Sequence, residues 1–413
     1  MSEHKTLLPK TDNPPAKVKD SGIINLVKAG KAVYNAKNGE LLFLPEGELA
    51  LREVKTVLGA SLSAEGFQRV DCASDDAIFS VAERFAREWR EAARSFCEER
   101  GREFRIISWD ANAGSSFAKA ERAMKSIISG LGESAFVFVE DVAPDAERTF
   151  VLASRCEAGD VGGRAGFFCE SCGALRFPDS PFGYTPRQPG AEEPEGVPED
   201  VETPMANTIA ELCSQLSIDI SRTLKAMLYV AADGDSKRHA VASFVRGDYN
   251  LSMNKLARWL ERERGLTGLR SADKAELREL IGEVAGYCGP VGMPSHVVTV
   301  GDLSLVGSKN TVAGANRPGY HRKCCCHPRD FDPPIADIAQ AAAGTPCSCG
   351  GPYRACFARE LGRLAIIGLS GAENGKVKKL SYRDRDGAHD FPFLLDGSFS
   401  AERITVARHS DAP

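Results

Sequence analysis

The chain has 413 residues, of which 43% are apolar and 26% are charged, proportions that are ordinary for a globular protein of two or three domains. The net charge of −5 excludes a globally basic nucleic-acid-binding protein, so any RNA contact must come from a local patch. Apolar runs stay shorter than the roughly 18 residues of a membrane span, and the polar N-terminus does not resemble a signal peptide. We therefore expect a cytoplasmic protein with no membrane contact.

Helical and strand patterns alternate through the first 160 residues. Residues 1–22 are rich in Lys and Pro and poor in large apolar residues, a composition typical of disorder. Beyond them, apolar spacing predicts helices, and runs of aromatic and β-branched residues predict strands. The predicted helices span residues 48–64 and 79–100, and the predicted strands span 40–44, 104–109, 135–139 and 149–153.

The composition changes at Pro178, where Pro, Gly and Glu become frequent, and again between Pro328 and Pro352. Such segments are typical of linkers and long loops. Strand-like pieces return in the tail. The pattern predicts an α+β protein in which one domain is inserted into another. The predicted parts are an outer domain at residues 23–165 and 346–413, a linker at 166–202 that carries a CxxC motif, and an inner domain at 203–345.

Several short motifs follow one another between Thr203 and His321. After Thr203-Pro204 comes a helix-like stretch from Thr208 to Leu216, then Thr223-Leu-Lys225 and a strand that ends in Val245-Arg-Gly-Asp248. The glycine- and proline-rich turn 286–294 and the sequence Ala313-Gly-Ala-Asn316 complete the run, with His321 close behind. Several signals in one order are far more specific than any one of them. The run resembles the editing (insertion) domain of bacterial-type prolyl-tRNA synthetase, a mixed-sheet, YbaK-like fold that free-standing deacylases of mischarged tRNA share.

The flanking segments resemble the same synthetase, but without its catalytic signatures. Leu44-Pro-Glu-Gly47 and the helix after it are similar to the first class II signature, which usually forms the dimer interface, and Ala73 stands where its closing proline is expected. The second signature, Phe-Arg-x-Glu, and the proline-pocket Thr-His-Glu are missing from the sequence, and Asp396–Arg403 is at best a decayed third signature. We expect no anticodon-binding domain. Because adenylate formation needs cationic groups to offset phosphate charge, the resemblance implies a truncated antiparallel-sheet domain that no longer acts as a ligase.

The resemblance also implies the residues of a deacylation site. Lys225 matches the family's lysine, which could hold a phosphate or orient the ester; the alternative is a surface lysine. Gly286 and Pro290 match the family's Gly-x-x-x-Pro loop, in which glycine lets backbone approach the substrate and proline fixes the loop, and the alternative is an ordinary turn. Asn316 would contribute one amide to a small pocket, and His321 could bond substrate or water, or be structural.

Two sets of charged residues accompany this site. Arg246 and Asp248 are expected to form a structural pair rather than to act in catalysis. A local basic patch would suit the phosphates of a tRNA acceptor end, and a solvated loop is an equal alternative. The residues of the patch are Lys309, Arg317, Arg322, Lys323 and Arg329.

Thirteen cysteines are many for a reducing compartment, where clusters indicate metal ligands or free thiols before disulfides. Cys169 and Cys172 precede the inserted domain, and Cys347 and Cys349 follow it. Because the two linkers of an insertion run side by side, the four thiolates could converge on a structural zinc ion; the alternative is a set of reduced cysteines left from an ancestral site. Hydrolysis itself requires no cofactor. For the run Cys324-Cys-Cys326-His327, a second zinc site, a redox sensor and thiol exchange stay open.

Together these features favour an aminoacyl-tRNA deacylase that acts in trans on mischarged tRNA(Pro), most simply Ala- or Cys-tRNA(Pro). The partner would be the tRNA acceptor end, and the outer domain would mediate homodimerisation or tRNA docking. Two alternatives remain open. One is a non-catalytic pseudo-synthetase that senses an amino acid or tRNA, and the other is a biosynthetic protein that uses aminoacyl-tRNA as an acyl donor.

Overall fold

The computed structural model of the chain forms two compact units, each treated separately below. The first unit comprises Met1–Asp141, Asp145–Phe168 and Ala355–Pro413, and the second comprises Val142–Pro144 and Cys169–Arg354. The structure describes residues 19–35, 40–65, 68–70, 78–81, 104–110, 113–132, 136–142, 148–160, 162–181, 189–206, 208–282, 286–368, 382–383, 389–390 and 393–410.

The first unit is a large, mostly antiparallel sheet with helices packed against it. Its sheet order is β3-β4-β5-β21-β18-β7-β6, in which only the β4–β5 pair is parallel, and β8 pairs with β18. A separate hairpin joins β1 to β2, and β19 pairs with β20. The helices are α1 (Ser21–Lys28), α2 (Pro45–Ala64), α3 (Ala113–Leu131) and α7 (Ala401–Arg408). The strands are β1 (Ala32–Asn35), β2 (Glu40–Phe43), β3 (Gln68–Val70), β4 (Ile78–Val81), β5 (Phe104–Asp110), β6 (Phe136–Asp141), β7 (Arg148–Cys156), β8 (Gly163–Cys169), β18 (Tyr353–Gly368), β19 (Tyr382–Arg383), β20 (His389–Asp390) and β21 (Phe393–Phe399).

The core of this unit follows from the spacing of its apolar residues. Val54, Leu58 and Leu62 recur every fourth residue along α2, so they lie on one face of the helix. All three are fully buried in a cluster with residues of α3 and of the sheet, including Ile127 and Leu364. Pro45 occupies the first turn of α2, where its missing N–H costs nothing.

The predicted elements of the first unit are found except at one place. The expected strands at 104–109, 135–139 and 149–153 correspond to β5, β6 and β7. The helix predicted over residues 79–100 is wrong at its start, because Ile78–Val81 forms a strand beside β5, and residues 82–100 lie outside the described residues. Short apolar runs rich in β-branched and aromatic residues do not distinguish the two structures by periodicity alone. Helix α1 begins inside the segment expected to be disordered, and Asp20 caps it.

The second unit is built on two sheets. The larger sheet is mixed, in the order β13-β11-β12-β14-β17: β11 is antiparallel to both β12 and β13, while β14 is parallel to both β12 and β17. The smaller one is antiparallel, in the order β10-β16-β15. The strands of these two sheets are β10 (Glu199–Glu202), β11 (Leu224–Ala232), β12 (Arg238–Arg246), β13 (Thr267–Ser271), β14 (Val298–Asp302), β15 (Thr311–Gly314), β16 (Tyr320–Cys325) and β17 (Ile335–Ala336). The short strand β9 (Leu175–Arg176) belongs to neither sheet.

The helices of the second unit carry clear capping signals. They are α4 (Ile209–Leu216), α5 (Met253–Arg264) and α6 (Lys274–Leu280). Thr208 and Glu211 form a capping box at the start of α4, and Gly265 ends α5 in the left-handed conformation. These signals explain why the helix predicted from Thr208 to Leu216 is found with its bounds nearly unchanged.

One core joins the two sheets of this unit. Leu224 and Phe244 of the larger sheet pack in a single buried cluster with Ala313 and Cys325 of the smaller one. A backbone bridge between Thr223 and Val312 links the sheets at the same end. The first residues of β11 and the last residues of β15 are thereby brought together, and this junction positions the candidate site.

The segment 166–202 contributes regular structure to the second unit. It contains β9 and also β10, which pairs with β16. Asp179, in the same segment, accepts hydrogen bonds from the side chains of Ser252 and Asn254 at 2.7 Å each. Within the described parts of both units, no helix combines the length and the apolar character that crossing a membrane requires.

Candidate functional site

A cavity of about 250 Å³ lies in the second unit beside the start of β11. Its apolar lining includes Leu212 of α4 together with Leu224 and Leu228 of β11, and its ionisable side chains include Lys225 and His321. Gly286, a third predicted site residue, also lines it. The cavity thus combines apolar walls with polar and ionisable groups, and such a concave site can hold a small ligand.

Lys225 is the cation of this cavity. Its Nζ donates a hydrogen bond to the carbonyl oxygen of Tyr249 at 2.9 Å. Burial lowers the pKa of the Lys225 ammonium, and the Asp248 carboxylate acts in the opposite direction. A partly desolvated ammonium interacts more strongly with an anion than a fully hydrated one does, so this position suits a phosphate or a developing oxyanion.

The turn that binds Lys225 is held by an ion pair between Arg246 and Asp248. The guanidinium of Arg246 bonds the carboxylate of Asp248 at 2.7 and 2.8 Å and lies 4.8 Å from the ring centroid of Tyr249. The structural pairing predicted for Arg246 and Asp248 is confirmed. It orders the turn whose carbonyl oxygen binds the lysine.

His321 faces the cavity from β16 as a neutral imidazole. Its Nδ1 lies 2.6 Å from Oγ1 of Thr203, which is fully buried, and its ring packs against Tyr287 at 5.4 Å between centroids. Burial lowers the pKa of His321 to about 4. Because Nδ1 is engaged by Thr203, Nε2 is the ring nitrogen that remains for a ligand.

Asn316 holds the loop that contains Gly286 and Pro290. Its side-chain oxygen accepts a hydrogen bond from Gly289 N at 2.9 Å, and its side-chain nitrogen donates to the carbonyl oxygens of Gly289 and Val291 at 3.0 and 2.8 Å. Its backbone φ of 54° is left-handed, a conformation that asparagine tolerates better than most residues. Asn316 therefore supports the wall of the cavity rather than lining it.

Two glycines let this loop approach β15 at backbone distance. A Cβ atom on Gly289 would lie 1.9 Å from the carbonyl oxygen of Gly314, and one on Gly314 would lie 2.3 Å from that of Tyr287. No larger residue fits at either position without moving backbone. The small residues of the 313–316 motif thus serve this contact in addition to leaving room for a ligand.

Three residues around the cavity were not predicted as site residues. Thr203 holds His321, Tyr287 packs on its ring, and the Cys288 side chain lines the cavity. Burial raises the pKa of the Cys288 thiol to about 12, so it is an apolar wall and not a thiolate nucleophile. Two of these residues, Tyr287 and Cys288, lie within the Gly286–Pro290 motif. Their position in that motif is the sequence signal that could have indicated them as site residues.

Residues 203–324 match the family model of the aminoacyl-tRNA editing domain.

The chain is also similar to proline--tRNA ligases. It is 29% identical to that of Aquifex aeolicus over 58% of this chain and 43% of the ligase, and 32% identical to that of Acidobacterium capsulatum over 58% of this chain and 42% of the ligase. The chain thus covers less than half the length of these relatives. A solved structure described as a candidate trans-editing enzyme for prolyl tRNA synthetase is 22% identical, with 35% of this chain and 87% of that chain covered and a TM-score of 0.29.

Two of the five residues of the predicted basic patch, Arg322 and Arg329, form ion pairs with carboxylates. Arg322 pairs with Asp200 at 2.6 Å, and Arg329 pairs with Asp330 at 2.7 Å and Glu195 at 3.2 Å. Arg317 lies over the ring of Tyr320 at 3.5 Å. Guanidinium groups that are paired with carboxylates bind phosphate less readily, so Arg322, which lies in β16, and Arg329 are poorly placed to bind a tRNA phosphate.

The side chains of residues 324–327 lie in different surroundings. Cys325 is fully buried in the core between the sheets, where burial raises the pKa of its thiol to about 12. Cys326 Sγ accepts a hydrogen bond from the backbone N–H of Asn310 at 3.4 Å, and the His327 ring packs against Phe331. Within the described residues these side chains do not gather into a metal-binding group.

The other predicted cysteine set does come together. Sγ atoms of Cys169, Cys172, Cys347 and Cys349 all lie within 4.8 Å of one another in the second unit. Cys169 and Cys347 are buried, whereas Cys172 and Cys349 are exposed.

Proposed function

We propose that this protein is an aminoacyl-tRNA deacylase that acts in trans on mischarged tRNA(Pro), with alanine or cysteine as the amino acid removed. The observation that carries the proposal is the cavity of the editing domain, which is lined by a partly desolvated lysine, by a neutral histidine and by Gly286 of the tight 286–290 loop. The tRNA acceptor end would be the partner, and the site of action would be the cytoplasm.

The reaction needs only water and the groups of the site. A water oxygen attacks the ester carbonyl carbon, the bond to the terminal ribose oxygen breaks, and the free amino acid and tRNA leave. Lys225 offsets the negative charge of the oxyanion or of the neighbouring phosphate, and His321 orients water or substrate through Nε2. Cys288 is protonated at neutral pH, so no covalent acyl intermediate on this thiol is expected.

The cavity would set substrate choice by volume. Its walls are fixed by Asn316 and by the Gly289–Gly314 contact, so they cannot readily expand for a larger side chain. A cavity with rigid walls rejects excess volume better than it rejects a smaller ligand. We therefore expect small aminoacyl groups to be hydrolysed in preference to the prolyl group.

The first unit would act as a scaffold for dimerisation or tRNA docking and not as a ligase. The sequence lacks the second class II signature, and the decayed third signature forms β21 followed by α7, whose Arg403 lies within 3.5 Å of the carbonyl oxygen of Glu360. We expect the purified protein to catalyse no proline-dependent exchange of pyrophosphate into ATP, and to elute as a dimer.

Deacylation assays on Ala-, Cys- and Pro-tRNA(Pro) test the function. We expect Lys225→Ala to lower the rate of the preferred hydrolysis by about 100-fold or more, the range found when a charge-stabilising group is removed. The matched control is Lys237→Ala, an exposed lysine of the same unit, which should retain wild-type activity. A folded protein that binds tRNA or an amino acid but hydrolyses none of the three substrates would overturn the proposal in favour of a regulatory pseudo-synthetase.

A further inference from the structure

We infer that the second unit carries a structural zinc ion bound by Cys169, Cys172, Cys347 and Cys349. This inference does not depend on the proposed hydrolysis. The Sγ atoms of Cys169 and Cys349 are 3.5 Å apart, and those of Cys172 and Cys347 are 3.6 Å apart. Four sulfurs about 2.3 Å from one tetrahedral zinc ion would be separated by about 3.8 Å. A disulfide would instead require about 2.05 Å.

The ligands are presented by two similar turns, which we call the first knuckle (residues 169–174) and the second knuckle (residues 347–351). In the first, Cys169 N donates to Ala174 O at 2.9 Å and Gly173 N donates to Cys169 O at 2.9 Å. In the second, Cys347 N donates to Gly351 O at 2.7 Å and Gly350 N to Cys347 O at 2.8 Å. The second knuckle reaches the same arrangement with one residue fewer, so its short Cys-x-Cys spacing still presents both sulfurs.

Glycines make this arrangement specific to the two knuckles. Gly173 and Gly350 follow the second cysteine of each knuckle and have φ values of 75° and 89°, a region that other residues rarely adopt. A Cβ atom on Gly351 would lie 2.4 Å from Ser171 Oγ and 3.1 Å from Cys169 Sγ. The second knuckle therefore contacts the first directly, and a side chain at this position would separate the two pairs of sulfurs.

Two of the four sulfurs belong to buried cysteines, Cys169 and Cys347, and the other two belong to the exposed Cys172 and Cys349. With four protein ligands no coordination position is open to water or substrate, which makes the role structural and not catalytic.

Metal content tests the inference directly. The full chain, purified under reducing conditions without added metal, is expected to contain about one zinc ion per molecule by elemental analysis. The double variant Cys172→Ser/Cys349→Ser should lose this zinc. The control double variant Cys213→Ser/Cys324→Ser, which changes two half-buried cysteines outside the cluster, should keep it.

Cobalt substitution covers the case in which the first double variant does not fold. When wild-type protein is stripped of metal and given cobalt(II), the absorption spectrum should show the thiolate charge-transfer and visible bands of a tetrahedral tetrathiolate site. Chelator treatment should also lower the melting temperature, because a metal that binds only the folded chain stabilises it. Stoichiometric iron in place of zinc, a cysteine pair joined as a disulfide, or the absence of both zinc and a cobalt spectrum would each overturn the assignment.

Discussion

At the scale of single residues, His321 makes the protein sensitive to acid. Burial lowers the pKa of His321 from its ordinary value of 6.5 to about 4 in the folded chain, so between these pH values the unfolded chain binds a proton that the folded chain does not. The free energy of unfolding is unaffected by this residue above about pH 6.5, and falls as the pH drops toward 4.

We expect His321 to account for a loss of up to about 3 kcal/mol in the free energy of unfolding between pH 7.5 and pH 4. Urea unfolding at several pH values would measure it, and His321→Asn should show a shallower decline than wild type over this range. The control His296→Asn, at an exposed histidine, should decline like wild type. Identical slopes in wild type and His321→Asn would refute this assignment.

Cys288 provides a test of the chemistry. Because its thiol has a raised pKa of about 12, almost none is ionised at neutral pH, and Cys288→Ser should keep deacylation within about threefold of wild type. Cys288→Phe should abolish it by filling the cavity. Loss of activity in the serine variant, together with an acylated Cys288 detected by mass spectrometry in wild type, would point to covalent catalysis instead.

The sequence predicted part of this residue-level picture. Lys225, Gly286 and His321 were recognised because they stand in ordered motifs, and the structure places them around one cavity. The pairing of Thr203 with His321 was not predictable, because 118 residues separate the partners and no local pattern encodes such a contact. The role of Asn316 was likewise misjudged: the motif suggested a pocket wall, whereas the amide fastens the neighbouring loop.

At the scale of elements, the contact between the 286–290 loop and β15 is a backbone contact without side chains. Gly289→Ala should therefore destabilise the protein by about 3 kcal/mol, since its Cβ atom would overlap the Gly314 carbonyl oxygen. Thermal or urea unfolding measures the effect. Gly234→Ala is the control, because nothing lies within 4 Å of that Cβ position, and it should change stability by less than about 1 kcal/mol. Equal effects of the two substitutions would mean that the loop does not pack as described.

Elements with explicit start and stop signals were predicted best. The helix after Thr208 has a complete capping box, and its bounds follow from it. The strand Ile78–Val81 was mistaken for the start of a helix because its four apolar-rich residues fit either pattern, and only its pairing with β5 decides between them. The parallel pairing of β12 with β14 also lies beyond local patterns, since α5, β13 and α6 intervene in the chain.

At the scale of the whole molecule, the two units have separate apolar cores. The cluster around Leu58 and Leu364 draws only on the first unit, and the cluster around Leu224 and Phe244 draws only on the second. The change in composition near Pro178 and again after Pro328 predicts a separate inner part, but the limits of the second unit, near Cys169 and Arg354, depend on contacts that composition does not reveal.

We expect residues 169–354 to fold when expressed alone, because this segment contains its own core and all four cysteines of the two knuckles. Circular dichroism should show a cooperative thermal transition, and at saturating tRNA the deacylation rate should be comparable to that of the full chain if the first unit only docks tRNA. A segment that lacks cooperative unfolding would show that the core described for the second unit is insufficient.

The two knuckles lie at the two ends of the 169–354 segment. An ion pair of 2.9 Å joins Glu170 to Arg354. Glu170 is the second residue of the 169–354 segment, and Arg354 is its last residue. A unit whose first and last residues lie close together can be inserted into a surface loop of another protein without stretching that loop. Such a unit can also be transferred from one host protein to another. The four cysteines lie near the same two chain ends, so a bound metal ion would hold these ends together, and the stability of their contact would depend on the supply of metal.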